Sequence, residues 1–375
     1  MPEVRLPRPT GPYPAGVRDI EAGQLLMRAW YPAAAPAQPR SYAAGVEREL
    51  LLDWTARRNP TWPPAATTAL LAAALTHDHR DAPVLPGHHP TIVFSHGADL
   101  YPAQNTVLMT ELASHGYVAV SVLQHGGGFA ARPDGSRLEA DESFFATVVE
   151  LFAWLEHYLR LGDDREARRD WFGHLWKNAK MSALARQWRD RMIAVTDALA
   201  AATPDGPFGD LPAACDLARL TYMGMSFGGS AAASAAHADP RARAAVNLDG
   251  MHLAADLFGR STRVPILALY AGFEGLGHHS DLFYEEFDRM GQREDVVRVK
   301  VAGALHRDFT DLALLPDKQR LDRLGSVDGE RVTRLVATLT RAFLDRYVEG
   351  RTPGALPLQD GAELVDVSTA RSSRA

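Results

Sequence analysis

Four short runs, residues 91–94 (TIVF), 118–122 (VAVSV), 244–248 (AAVNL) and 265–270 (PILALY), are almost continuously apolar. A strand that alternates apolar and polar residues can leave one face in water, but a strand apolar throughout must be covered on both faces. These runs therefore require a parallel sheet with helices above and below it. Three more runs join them: 25–31 (LLMRAWY), 220–225 (LTYMGM) and 296–301 (VVRVKV). The last alternates Val297, Val299 and Val301 with Arg298 and Lys300, which suits a strand nearer an edge.

Amphipathic helices fall between the strands. Trp188, Met192, Val195 and Leu199 form one helical stripe just before the 220–225 run. Val332, Leu335, Val336, Leu339, Phe343 and Tyr347 form another near the C-terminus, with Gly350 as its stop. Strand–helix–strand repetition of this kind predicts an α/β fold with a doubly wound, mostly parallel sheet. Residues 1–350 are expected to make a single domain, with insertions at about 32–90 (rich in Pro and Ala) and 139–186. Residues 351–375 read as a loosely held tail. The second insertion is aromatic, and helix packing is its simpler explanation, a lipid-facing lid the rarer one.

Charge and cysteine content narrow the classes. Forty basic against 46 acidic residues give a net charge of −6, which disfavours nucleic acid as a partner. The single cysteine, Cys215, excludes an intrachain disulfide framework. The opening MPEVRLP lacks the apolar core of a secretory signal, and the longest apolar stretch, 65–75, has 11 residues, short of the ~20 that span a bilayer. The expectation is a cytoplasmic protein without a transmembrane segment, still free to touch a membrane peripherally.

One motif carries chemistry. Gly224-Met225-Ser226-Phe227-Gly228 is the only G-x-S-x-G in the chain; it follows a predicted strand and precedes the small-residue run SAAASAA. A serine hydroxyl is a weak nucleophile and must project from a tight strand-to-helix turn where a base can reach it. The helix start also directs N–H groups toward charge developing on a substrate.

The partners of such a serine follow it in the order acid, then histidine. Of His237, His252, His278, His279 and His306, only His306 stands just beyond the last predicted strand. Two places could supply the acid: Asp249, ending the 244–248 strand, or Glu274 or Asp281 after the 265–270 strand. The cost of burying an unpaired carboxylate slightly favours Asp249. The backbone N–H groups of Phe227 and Ala98 are assigned as the oxyanion hole, Ala98 lying in the loop Ser95-His96-Gly97-Ala98. His96 reads as a hydrogen-bonding residue of that loop. Thr76 to Asp81 contains H-x-H-x-D, but its ligand set is too incomplete for a metal site.

Several of these residues, with Gly11-Pro12-Tyr13, Phe94-Ser95-His96-Gly97, Leu112 through Tyr117, Gln187 through Leu199, Ser226 through Gly229, Leu248-Asp249 and Gly303 through Asp311, resemble the plasma-type platelet-activating factor acetylhydrolases of the α/β-hydrolases. The resemblance implies that the acid is Asp249, that Ser226, Asp249 and His306 form the catalytic set, and that no metal or organic cofactor is needed. It also implies a small-molecule or lipid ester substrate, with short or oxidised acyl chains cleaved from glycerophospholipids. Three other readings remain on the same sequence. One is a dienelactone hydrolase- or cutinase-like esterase of small esters or polyesters. The second is an acyltransferase using the same serine, and the third a prolyl-oligopeptidase-type peptidase. A non-catalytic ligand-binding protein of this shape is disfavoured by three triad residue types standing in order.

Overall fold

The computed structural model describes residues 4, 6–58, 64–161, 164–251, 253, 255–257, 262–271, 295–316, 318, 324–351 and 362–364. Glu274 and Asp281, the alternative acids, and His252, His278 and His279 lie outside these residues.

The apolar runs become the centre of the sheet. In chain order, strands β1 (Ala15–Ala22) and β2 (Leu25–Pro32) form a hairpin, and β3 (Pro39–Ser41) and β4 (Leu75–Arg80) flank helices α1 (Gly45–Arg58) and α2 (Pro64–Ala73). Strand β5 (His89–Ser95), helix α3 (Thr106–Ser114) and strand β6 (Val118–Val122) follow. A two-strand ribbon, β7 (Ala130–Ala131) and β8 (Arg137–Leu138), leads to α4 (Glu142–Arg160), α5 (Arg165–Lys177), α6 (Ala179–Ala200) and α7 (Leu211–Ala214). The remainder is β9 (Cys215–Met225), α8 (Phe227–Ala238), β10 (Ala242–Leu248), β11 (Ile266–Ala271), β12 (Val296–Val301), α9 (Gly329–Tyr347) and β13 (Ala362–Leu364).

Among the described residues the main sheet runs β13-β12-β11-β10-β9-β5-β6-β2-β1-β4-β3. Its middle, β12 through β6, is parallel throughout, and β2 and β13 close it with antiparallel partners. This is the doubly wound arrangement expected. Helices α3 and α9 bury their apolar faces on one side with α1, while α4, α5, α6 and α8 cover the other. The α6 stripe of Trp188, Met192, Val195 and Leu199 is buried, as are Val332, Val336, Leu339 and Phe343 of α9.

Sequence patterning missed β1, β3 and β4 because charged side chains stand in them. In β4, Asp78 is fully buried: it accepts from Trp30 Nε1 at 2.9 Å, from Arg40 Nε at 3.0 Å and from the Thr76 hydroxyl at 2.6 Å. A carboxylate so satisfied can occupy a strand that hydropathy reads as loop. Its neighbours in H-x-H-x-D have separate partners, His77 at the Leu6 carbonyl and His79 at the Ala37 carbonyl. At the other edge, three residues of the expected tail pair with β12 as β13.

Four side chains of the aromatic stretch face inward. Phe144, Tyr158, Trp171 and Phe172 are buried, with Tyr158 and Trp171 ring centroids 4.6 Å apart. These four make the helix packing that the simpler explanation expects. Among the described residues no helix is long and apolar enough to cross a membrane.

Candidate active site

Ser226 sits between the last residue of β9 and the first of α8, with φ 57° and ψ −123°. A non-glycine residue with positive φ is strained, and it persists only where the surroundings fix it. Here they do so by close backbone approach. A Cβ on Gly224 would collide with the Gly228 carbonyl, and one on Gly228 would collide with the carbonyls of Ser95 and His96. The serine's own N–H donates to the Leu248 carbonyl at 2.8 Å, and its carbonyl accepts from Gly229 and Ser230. The turn thus pins the loop of Ser226 against both the β5 loop and the end of β10.

Asp249 lies one residue beyond β10 and also has positive φ, 53°. Asn247 shapes that turn: its side-chain oxygen accepts from Gly250 N at 2.8 Å, and its amide donates to the Gly250 carbonyl at 2.9 Å. The Asp249 N–H donates to the Leu269 carbonyl at 2.7 Å, and Ala271 N donates to Oδ1 at 2.8 Å. One carboxylate oxygen, Oδ2, is left facing His306.

The structure brings the three expected side chains together although they span 80 positions: His306 Nδ1 is 2.6 Å from Asp249 Oδ2, and His306 Nε2 is 2.9 Å from Ser226 Oγ. A carboxylate only accepts, so Nδ1 carries the ring proton and donates to Asp249, which leaves Nε2 to accept from the serine hydroxyl. The Asp249 side chain is 7% exposed and that of His306 26%.

Two backbone N–H groups belong to segments next to Ser226. Phe227 opens α8, and Ala98 lies in the loop after β5, where Gly97 packs against the Ser226 Cβ. Among the described residues neither N–H has a protein acceptor. His96 is fully used within its loop: Nδ1 donates to the Gly97 carbonyl at 2.7 Å and Nε2 accepts from Gln124 N at 2.9 Å. Burial holds its pKa down at about 4, so the ring is neutral. Trp188 packs edge-on against His96 and tilted against Phe227, 4.6 Å between centroids, walling the Phe227 side.

Sequence reasoning missed the groups that hold these loops. Asp308 is buried and accepts from Leu305 N at 2.7 Å, from Gly325 N at 2.6 Å and from Lys318 Nζ at 2.5 Å, fixing the short helical turn His306–Phe309. Gln104 and Asn105 hold the β5 loop and the histidine loop. Asn247, a polar residue in an otherwise apolar strand, was the one visible signal.

The profile of the family described as "Platelet-activating factor acetylhydrolase, isoform II" matches residues 1–131 and 205–352. The platelet-activating factor acetylhydrolase of Cavia porcellus is 22% identical over 366 residues, covering 92% of this chain and 78% of that protein. A solved structure described as a ferulic acid esterase from Streptomyces cinnamoneus is similar with a TM-score of 0.69, at 21% identity over 96% of this chain and 99% of that one. At that identity the likeness speaks for the α/β-hydrolase fold alone. The family match, covering most of the chain, carries the assignment: the chain belongs to the platelet-activating factor acetylhydrolase, isoform II, family.

Proposed function

We propose that this chain is a serine hydrolase of carboxylic esters, with Ser226 as nucleophile, His306 as base and Asp249 as its orienting acid. The observation that carries the reading is the unbroken row Asp249–His306–Ser226; the N–H groups of Phe227 and Ala98, which have no protein acceptor among the described residues, support it. Family membership supports ester hydrolysis as the reaction class.

In the first step the Ser226 oxygen attacks the ester carbonyl as its proton passes to His306 Nε2. Asp249 stabilises the imidazolium that forms and keeps the ring in the productive tautomer. The N–H groups of Phe227 and Ala98 stabilise the oxyanion. The alcohol leaves with the proton from Nε2, giving an acyl-serine. Water, deprotonated by the same nitrogen, then releases the acid and regenerates the hydroxyl. This sequence draws on no metal or organic cofactor.

The proposed substrates are esters with short or oxidised acyl chains, the sn-2 ester of glycerophospholipids among them. A second reading keeps the chemistry and changes the alcohol to a small, non-phospholipid one. It is favoured by the aromatic wall that Trp188 sets against Phe227, next to Ser226. An ester panel from acetyl to long-chain, with and without a phosphocholine headgroup, separates the two. For the chemistry itself, Ser226→Ala should lower kcat at least about 10⁴-fold with the fold intact. Parent-like hydrolysis by that variant would refute the assignment.

A further inference from the structure

The loop after β5 and the loop of His306 are joined by a row of buried amides. Gly97 N donates to Gln104 Oε1 at 2.9 Å, Gln104 Nε2 donates to Asn105 Oδ1 at 2.7 Å, and Asn105 Nδ2 donates to the Phe309 carbonyl at 2.7 Å. The Gln104 carbonyl also accepts from Asp311 N at 2.8 Å, so the two segments are tied twice. Gln104 is 1% and Asn105 4% exposed, which gives these bonds no competing water.

Asn105 departs from its local role in a telling way. It stands at the N-cap of α3, where an asparagine side chain ordinarily accepts from its own helix. Here it makes no such bond, and the Val107 N–H is instead taken by the carboxylate of Asp311, 3.3 Å to each oxygen. The helix start is capped from the histidine segment, while the cap residue reaches out to that same segment. This exchange weakens neither helix nor loop, and it fixes the distance between them.

We infer that Gln104 and Asn105 are positioning residues that set the Ala98 N–H and the His306 ring in register on opposite sides of the Ser226 hydroxyl. The inference rests on the hydrolase reading above and adds two residues to it. Gln104 acts through Gly97, the residue before the oxyanion donor, and Asn105 through Phe309, three residues after the base. Geometry matters steeply at such a site, where a displacement of about 1 Å costs on the order of a hundredfold in rate.

The test compares kcat and KM for 4-nitrophenyl acetate in the parent, Gln104→Met, Asn105→Leu and the double variant, each corrected for the fraction of sites titrated by a fluorophosphonate. Either single change is expected to lower kcat about tenfold to a hundredfold with KM within about twofold, and the double variant to lose little more than the worse single one. Tyr222→Phe serves as the comparison. It removes buried bonds to Asp239 and Thr196 away from the site and should cost stability while leaving kcat unchanged. If Gln104→Met is not recovered folded, Asn105→Leu carries the test, with the same loss of about tenfold to a hundredfold expected. Parent-like kcat in any folded Gln104 or Asn105 variant overturns the inference, as does a fall in kcat that Tyr222→Phe reproduces. Ser226→Ala separates the two levels: if it hydrolyses like the parent, the hydrolase reading falls, whereas loss there with parent-like Gln104→Met sinks the positioning role alone.

Discussion

The turn carrying Ser226 is shaped by side chains that are missing, and the loop carrying His306 by polar side chains that are present. At the serine, Gly224 and Gly228 let backbone meet backbone, and no side-chain hydrogen bond caps the helix that follows. At the histidine, the Asp308 carboxylate gathers two amides and an ammonium, while Asn105 reaches Phe309 across 204 positions. A steric device of this kind tolerates no added atom but is indifferent to pH and salt. A polar device depends on every partner being in place, because each buried group left unpaired is costly. His306 is thus held by the more fragile of the two constructions.

The largest effect is expected where the two meet, at Asp249. Asp249→Asn preserves size and the acceptor for Ala271 N, but turns a donor toward His306 Nδ1 and forces the proton onto Nε2. That tautomer cannot accept from the serine. We expect kcat to fall about 10⁴-fold, equivalent to about 5.4 kcal/mol, with unfolding unchanged. Steady-state kinetics beside thermal unfolding checks it, and a loss under tenfold would show that the ring is not oriented by this carboxylate.

Next in size is Asp308. Its side chain is fully buried and that of its partner Lys318 is 5% exposed. Asp308→Ala strands the ammonium and two amides without an acceptor, and should destabilise the fold by about 3–5 kcal/mol in urea unfolding. Pairing it with Lys318→Met should return a large part of that loss, because the uncompensated charge goes with it. If the single variant costs less than about 1 kcal/mol, the histidine loop is held by something else.

This contrast also explains what could be read from the sequence. The four apolar runs and the glycine spacing around Ser226 are local signals, and each fell where the structure has a strand or the turn. His306 was legible because it stands just past an identifiable strand, and the geometry brings it to Ser226 and Asp249. The residues that hold it were not legible. Gln104 and Asn105 look like any helix start, and Lys318 like any surface lysine, until the fold places them against Gly97, Phe309 and Asp308. The edge strands hid for the same reason: Asp78 reads as solvent-facing until Arg40 and Trp30 arrive from other segments. Hydropathy encodes burial residue by residue, and a satisfied buried charge is a property of a pair.

The smallest and most diagnostic effect belongs to Asp311, whose carboxyl caps α3 and faces Tyr42 Oη at 3.1 Å. Burial pushes it up from its ordinary value of 3.8 to about 8, with the nearby Asp78 charge adding to the rise and the Tyr42 hydroxyl and backbone amides opposing it. The count of hydrogens around Tyr42 works in the other direction. Tyr42 Oη lies 3.0 Å from both the Ala103 carbonyl and Tyr101 Oη, and its one hydrogen cannot serve all three neighbours. A protonated Asp311 supplies the missing donor. Between pH 4 and 8 the folded chain therefore keeps a proton that the unfolded chain has released, so the stability this group contributes is full below about pH 4 and declines as pH rises to about 8. Asp311→Asn imitates the protonated acid, its amide donating to Tyr42 and its oxygen accepting from Val107. Thermal unfolding at pH 5.5 and pH 8 should show a smaller fall for the variant than for the parent, and a variant at least as stable as the parent at the higher pH. An equal fall in both proteins would mean that Asp311 is ionised in the fold, and that the histidine segment is tied to α3 by charge rather than by a shared proton.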